Sequence, residues 1–129
     1  MTTSEATAQA ERIRATVTAY LDAVASGVAT DVAALYTENA TLEDPVGSEP
    51  RVGRAAITEF YKAIETTENT TELFTLRISG ANAAFHFRVT TKVAEQTYAI
   101  EPIDVMTFDE AGRITTMRAF WAPSDTVQH

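Results

Sequence analysis

Asp104 stands in the run AIEPIDVMTF (residues 99–108), where alternate side chains of a strand would fall on one face. Its same-face neighbours are Ile100, Pro102, Met106 and Phe108, all apolar, and the opposite face carries Ile103 and Val105. That pattern predicts a strand covered on both sides. A carboxyl in such surroundings loses its hydration, so its pKa should rise. A protonated Asp is a hydrogen-bond donor at neutral pH. A buried acid paired with an arginine or a backbone amide fits the same residues, and both readings stay open. A second carboxylate, Asp44, follows the strand-like run ATLE and precedes Pro45. Parity puts Asp44 on the face of Leu42, pointing inward, and Glu43 on the face of Thr41, so Glu43 and Glu49 are expected to be solvated. An inward carboxylate at the mouth of a sheet could act as a base; an ordinary turn aspartate before proline is the plainer alternative. Tyr20 lies on the apolar stripe of the first helix, where a phenol needs a partner for its hydroxyl. Taken one at a time, Tyr20, Tyr36 and Tyr61 read as core residues.

Other chemistries find little support. His86 alternates with Phe85 and Phe87 on the side of Arg88 and Lys92, which predicts a surface position, and His129 is terminal. No His/Asp/Glu cluster has ligand spacing, so no metal is expected. There is no phosphate-cradling Gly loop and no Ser in a nucleophile elbow. The absence of cysteine excludes disulfides and thiolate metal sites, and fits a cytoplasmic setting. A formal net charge of -8, spread along the chain, argues against nucleic-acid and anionic-membrane partners. The first fourteen residues lack the apolar core of a signal peptide, and no run of about 18 apolar residues occurs.

The elements that must hold these residues can be read in order. A length of 129 residues with 45% hydrophobic content suits one domain, 1–129, with its own core. Ile13, Val17, Tyr20, Leu21 and Val24 recur at helical spacing within residues 4–26, and Gly27 sits at the position of a C-terminal cap. A short helix is expected over 31–36, a strand over 40–43, and a third helix over 53–64 with Ile57, Phe60, Tyr61 and Ile64 inward. Strands follow over 73–79, 83–93, 96–108 and 113–121, separated by turn residues at SGAN, AEQ and DEAG. Pro102 suggests an edge or bulge within the third of these. Helices first and antiparallel strands after predict an α+β domain, a curved sheet with about three helices on one face and a pocket in its concave side.

The stretch EDPVGSEPRVG, the helix GRAAITEFY, and the pair PIDVMTFDEAGRI and TMRAFW resemble the bacterial ketosteroid isomerases, the steroid Δ5-isomerases. The likeness runs from the first helix to about Trp121. It implies the cone-shaped fold shared with nuclear transport factor 2, a fold that by itself hosts many functions. Carried onto this sequence, the family's general base is Asp44 of EDP. Its oxyanion-hole donors are Tyr20 of TAYLDAV and Asp104 of PIDVM. Tyr61 of TEFY is the supporting tyrosine, Tyr36 of ALYTENAT a further network position, and Trp121 of RAFW a residue that holds the base. Ketosteroid isomerases are themselves the standing example of an Asp base beside a protonated Asp donor, so that pairing comes with the family.

The resemblance implies isomerisation of a 3-oxo-Δ5-steroid to the conjugated Δ4 enone, by proton transfer from C4 to C6 through a dienolate. It also implies a homodimer formed through the sheet, and no cofactor. Val24, Phe60, Phe85, Phe87, Met106, Phe120 and Trp121 are candidates for the steroid-shaped wall or for ordinary core. Two alternatives stand beside the isomerase: a non-catalytic steroid- or lipid-binding module, and a polyketide cyclase-like enzyme of the same fold.

Overall fold

The computed structural model describes residues 2–128, so His129 lies outside the described residues. Helix α1 (Thr3–Ser26) opens on Thr2, whose hydroxyl accepts the Glu5 amide at 3.0 Å, and closes on Gly27 at φ +77°. It buries Ile13, Val17, Tyr20, Leu21 and Val24, the stripe expected from their spacing. Helix α2 (Ala29–Ala33) is shorter than expected, and Tyr36 does not close it. Instead Tyr36 opens strand β1 (Tyr36–Glu43). The sequence hides this because the pairing register shifts between Tyr36 and Thr41, which breaks the alternation across TEN. Arg54 donates from Nη2 to the Tyr36 carbonyl at 2.6 Å and so fixes the strand's beginning.

Strand β2 (Arg51–Val52) leads into helix α3 (Arg54–Tyr61), which tightens into a 3₁₀ turn over Lys62–Thr66 instead of continuing as α-helix to Ile64. Four long or medium strands follow: β3 (Glu68–Ser79), β4 (Asn82–Val93), β6 (Ile103–Phe108) and β7 (Ile114–Phe120), with β5 (Gln96–Ile100) between β4 and β6. A 3₁₀ turn at Pro123–Asp125 and β8 (Thr126–Gln128) end the described chain. Strand β3 starts five residues before the apolar pattern does. Its polar ENTTE segment pairs residue for residue with the far end of β4, and Thr71 donates to the Leu21 carbonyl of α1 at 3.0 Å.

The expected single strand over 96–108 is two strands. Pro102 has no amide to contribute, and the chain breaks at Glu101–Pro102 so that β5 pairs with the second half of β4 and β6 with its first half. The sheet runs β2-β1-β7-β6-β4-β5-β8, with β3 on the other edge of β4. All pairs are antiparallel except β1 with β7, which is parallel. The architecture is α+β, with helices packed on one face of a mixed, mainly antiparallel sheet.

The core lies between that face and the helices. Leu42, Phe85, Met106, Ile114 and Met117 from the sheet meet Ile13, Val17, Val32 and Ile57 from the helices, all nearly devoid of solvent contact. Alternation along β6 holds: Asp104, Met106 and Phe108 are buried, and Ile103 is exposed. The outer face of β6 is therefore uncovered within this chain, contrary to the expectation of a strand covered on both sides. Phe120 also faces outward, since it pairs with Ile103 while Ala119 pairs with Asp104.

Candidate active site

Tyr20 and Val24 of α1, Phe60 and Tyr61 of α3, Phe87 of β4, Asp104 of β6 and Asp44 after β1 all open onto one cleft of about 290 Å³. Its remaining walls are Ala63, Ile64, Val89, Ile100, Pro102 and Trp121. The size sits at the lower end of the roughly 300–1,000 Å³ typical of small-molecule sites, and the mix of apolar walls with a few convergent polar groups is equally typical. Of the residues expected to form the wall, Val24, Phe60, Phe87 and Trp121 do so. Phe85 and Met106 lie behind it in the core, and Phe120 is on the opposite side of the sheet under the Arg118 guanidinium, 5.2 Å from its ring centroid. The walls that were missed could have been found: Ile100 and Pro102 share the parity of Asp104, and Val89 that of Phe85 and Phe87.

The strand pairing explains the surroundings of Asp104. Phe85 of β4 and Ala119 of β7 flank it, and both are buried. Asp104 is 1% exposed, and neither of its carboxyl oxygens has a hydrogen-bond partner. Of the alternatives open from sequence, pairing with arginine or a backbone amide is thereby removed among the described residues. Burial pushes the Asp104 carboxyl well above the usual carboxylate range, and the nearby Asp44 charge pushes it further; the Tyr20 hydroxyl, close to Asp104 but outside hydrogen-bonding geometry, acts the other way. A buried polar group left without a partner is costly, and such costs gather at functional sites.

Three tyrosines from three elements form a chain of hydroxyls. Tyr36 OH lies 2.7 Å from Tyr61 OH, which lies 3.2 Å from Tyr20 OH. Their separations of 25 and 41 residues put this contact beyond any local pattern. Tyr20 also meets Tyr61 and Phe85 edge-on, which fixes its ring. Each phenol has one proton to give. Either hydroxyl of each pair can donate; in the order Tyr36 to Tyr61 to Tyr20, the Tyr20 proton is left for a group in the cleft. Burial raises all three phenols well above their ordinary pKa, so all three stay protonated donors across neutral pH.

Asp44 is half-buried at the cleft's edge, and the Trp121 indole N–H donates to its Oδ1 at 2.6 Å. Loss of hydration raises the Asp44 pKa above the usual value, and the indole bond lowers it. Replacing Trp121 with Phe removes the donor, so the Asp44 carboxyl should titrate at higher pH than in the wild type. Carboxyl-carbon NMR over a pH series reads this directly; an unchanged midpoint would show that the indole does not support the charged form. His86, as expected, is on the outer face, 3.5 Å from Glu101. Among the described residues no His/Asp/Glu cluster is arranged to hold a metal ion.

Two carboxyls of unlike environment and a buried phenol thus face one apolar cleft. Such an arrangement can, in chemical terms, move a proton with one carboxylate while two neutral donors stabilise charge developing on an oxygen between them. Residues 17–117 match the SnoaL-like domain. The chain is 56% identical over 115 residues to a steroid Delta-isomerase of Nocardioides simplex, covering 89% of this chain and 94% of that one. Among solved structures, the epoxide hydrolase/cyclase-like enzyme SalBIII of pyran ring formation in salinomycin superposes with a TM-score of 0.83 at 31% identity, covering 90% of this chain and 95% of that one. A Mycobacterium tuberculosis protein superposes at 0.84 with 17% identity, covering 92% and 96%, a likeness of fold alone. The chain belongs to the SnoaL-like domain family and, within it, to the steroid Delta-isomerases.

Proposed function

We propose that this chain, as one domain spanning 1–129, is a steroid Δ5-isomerase that converts 3-oxo-Δ5-steroids into conjugated 3-oxo-Δ4-steroids. One observation carries the reading: a buried, partnerless Asp104 shares an apolar cleft with the Tyr20 hydroxyl and with Asp44. Asp44, ionised, takes the C4 proton. The electrons move into the ring system, giving a dienolate whose charge gathers on the C3 oxygen. Tyr20 and protonated Asp104 donate to that oxygen, which becomes charged only after proton transfer, so their hydrogen bonds favour the transition state over the substrate. Asp44 returns the same proton at C6, and the double bond ends in conjugation with the carbonyl. Tyr61 and Tyr36 orient the Tyr20 proton, and Trp121 holds Asp44 over the ring face. No cofactor enters the scheme.

The first test is the growth of enone ultraviolet absorbance when the protein meets 5-androstene-3,17-dione, with Asp44→Asn beside it. Conversion lost in the variant supports the reading. Tight steroid binding without conversion would mean a binding module. Neither binding nor conversion would direct attention to cyclase-type substrates, which the likeness to SalBIII makes the next to try.

The resemblance also calls for a homodimer, and the outer sheet face offers a surface for it. Phe74, Ile103 and Phe120 are 39%, 47% and 42% exposed there, in a row across β3, β6 and β7 with His86 of β4 between them. Light scattering should give about twice the 14.0 kDa chain mass, and Ile103→Asp should halve it. A wild-type mass of one chain would end the dimer reading. No helix among the described residues is long and apolar enough to cross a membrane. A cytoplasmic enzyme acting on an apolar small molecule, without nucleic-acid or membrane partners, fits the composition.

A further inference from the structure

Glu43 points away from the cleft, as parity requires, yet it is not idle in solvent. Its Oε2 accepts the Gly47 amide at 2.8 Å, and its Oε1 accepts from Arg118 Nε at 3.2 Å. Glu43 and Arg118 are direct partners in the parallel β1–β7 pair, so the bond spans the two strands. Between Glu43 and Gly47 lies Asp44. The turn after Asp44 is held at further points: the Val46 amide donates to the Ala119 carbonyl of β7 at 2.8 Å, and the Ser48 amide and hydroxyl donate to the Pro45 carbonyl at 3.0 and 2.6 Å. Gly47 adopts φ +101°, a conformation that side-chain-bearing residues rarely take.

We propose that Glu43 is a positioning residue for Asp44: its carboxylate accepts the Gly47 amide and so closes the Asp44–Ser48 turn onto the end of β1, with the Arg118 contact incidental. Resting on the isomerase reading above, it deepens that reading by assigning the base's backbone a support separate from the indole that holds its side chain. One carboxylate that must serve both C4 and C6 has to keep its height above the ring plane, and a misplacement of about 1 Å can cost on the order of 10²-fold. The ion pair itself is of minor weight, because Arg118 is half exposed and such pairs contribute little. The working bond is the one to the Gly47 backbone.

This makes a specific pattern of variants. Glu43→Ala should lower kcat about 10- to 100-fold with steroid KM nearly unchanged. Glu43→Gln, whose amide oxygen still accepts from Gly47, should recover most of that loss. Arg118→Met should stay within about threefold of wild type. Melting curves accompany each variant, so that loss of fold is not read as loss of positioning. An unchanged kcat in Glu43→Ala, an effect confined to KM, or a Gln variant as poor as Ala would overturn the clasp. Hydrogen exchange supplies a readout that needs neither turnover nor a folded Ala variant. The Gly47 amide of the wild type should exchange slowly, and exchange at the rate of an open loop amide would sink the proposal. In Glu43→Ala the Trp121 indole proton should exchange faster, as Asp44 loosens. A wild type inactive on steroids would count against the isomerase reading instead, while these exchange rates would still decide the clasp.

Discussion

Asp44→Asn should cut turnover by the order of 10²–10⁴, the range that a positioned general base contributes. The amide keeps the shape of the carboxylate and can still accept the Trp121 indole N–H, so the cleft and its affinity for steroid should survive. A phenolic steroid is the informative ligand. Its oxygen, when ionised, has the kind of negative charge that the dienolate would place near Tyr20 and Asp104, and in the wild type that charge is repelled by ionised Asp44. Removing the repulsion should leave binding of the phenol intact or tighter while conversion collapses. Asp44 also raises the pKa of Asp104, so in the Asn variant the Asp104 carboxyl should titrate at lower pH than in the wild type. Retained turnover in Asp44→Asn would assign the base elsewhere.

The second large effect belongs to the donor pair. Tyr20→Phe should lower turnover on the order of 10²–10³-fold, as deletion of an oxyanion-hole donor does. Asp104→Ala should act in the same direction, and the double variant should lose less than the product of the two, since both donors serve one oxygen. Strict additivity would mean that they do not share a target. Stability should move the opposite way. The two Asp104 oxygens are buried without partners, so Asp104→Leu should stabilise the fold by about 1–3 kcal/mol, the desolvation cost of an unsatisfied group. The sign with pH follows from a folded pKa raised well above the ordinary 3.8. Below 3.8 the carboxyl is protonated in folded and unfolded chains alike, and its contribution to stability is fully present. As pH rises from there through the folded pKa, that contribution is lost, so the gain from Leu should widen across this window. Denaturant midpoints over a pH series check it. A Leu variant that is less stable at every pH would show that Asp104 has a partner in solution.

Local pattern alone determined a good deal of this protein. Helical spacing placed Tyr20 on the buried stripe of α1, and strand parity aimed Asp44 inward and surrounded Asp104 with apolar neighbours, because periods of 3.6 and 2 are properties of the backbone. Proline at 102 signalled an interruption for a similarly local reason, the missing amide. The stretches EDPVG and PIDVM carried the family, which the comparisons bear out. Pairing was another matter. Which strand lies beside which, and in what register, is fixed by contacts far apart in the chain. The resemblance named Tyr61, Tyr36 and Trp121, but local pattern could not; the fold sets Tyr36 at the head of β1, joins its hydroxyl through Tyr61 to Tyr20, and brings the Trp121 indole to Asp44 across 77 residues. The same register turned Phe120 outward by putting Ala119 opposite Asp104. Glu43 shows the limit most clearly. Its outward direction was legible, but its partners are a backbone amide presented by a turn and an arginine on a parallel neighbour, and neither exists until the tertiary structure has formed.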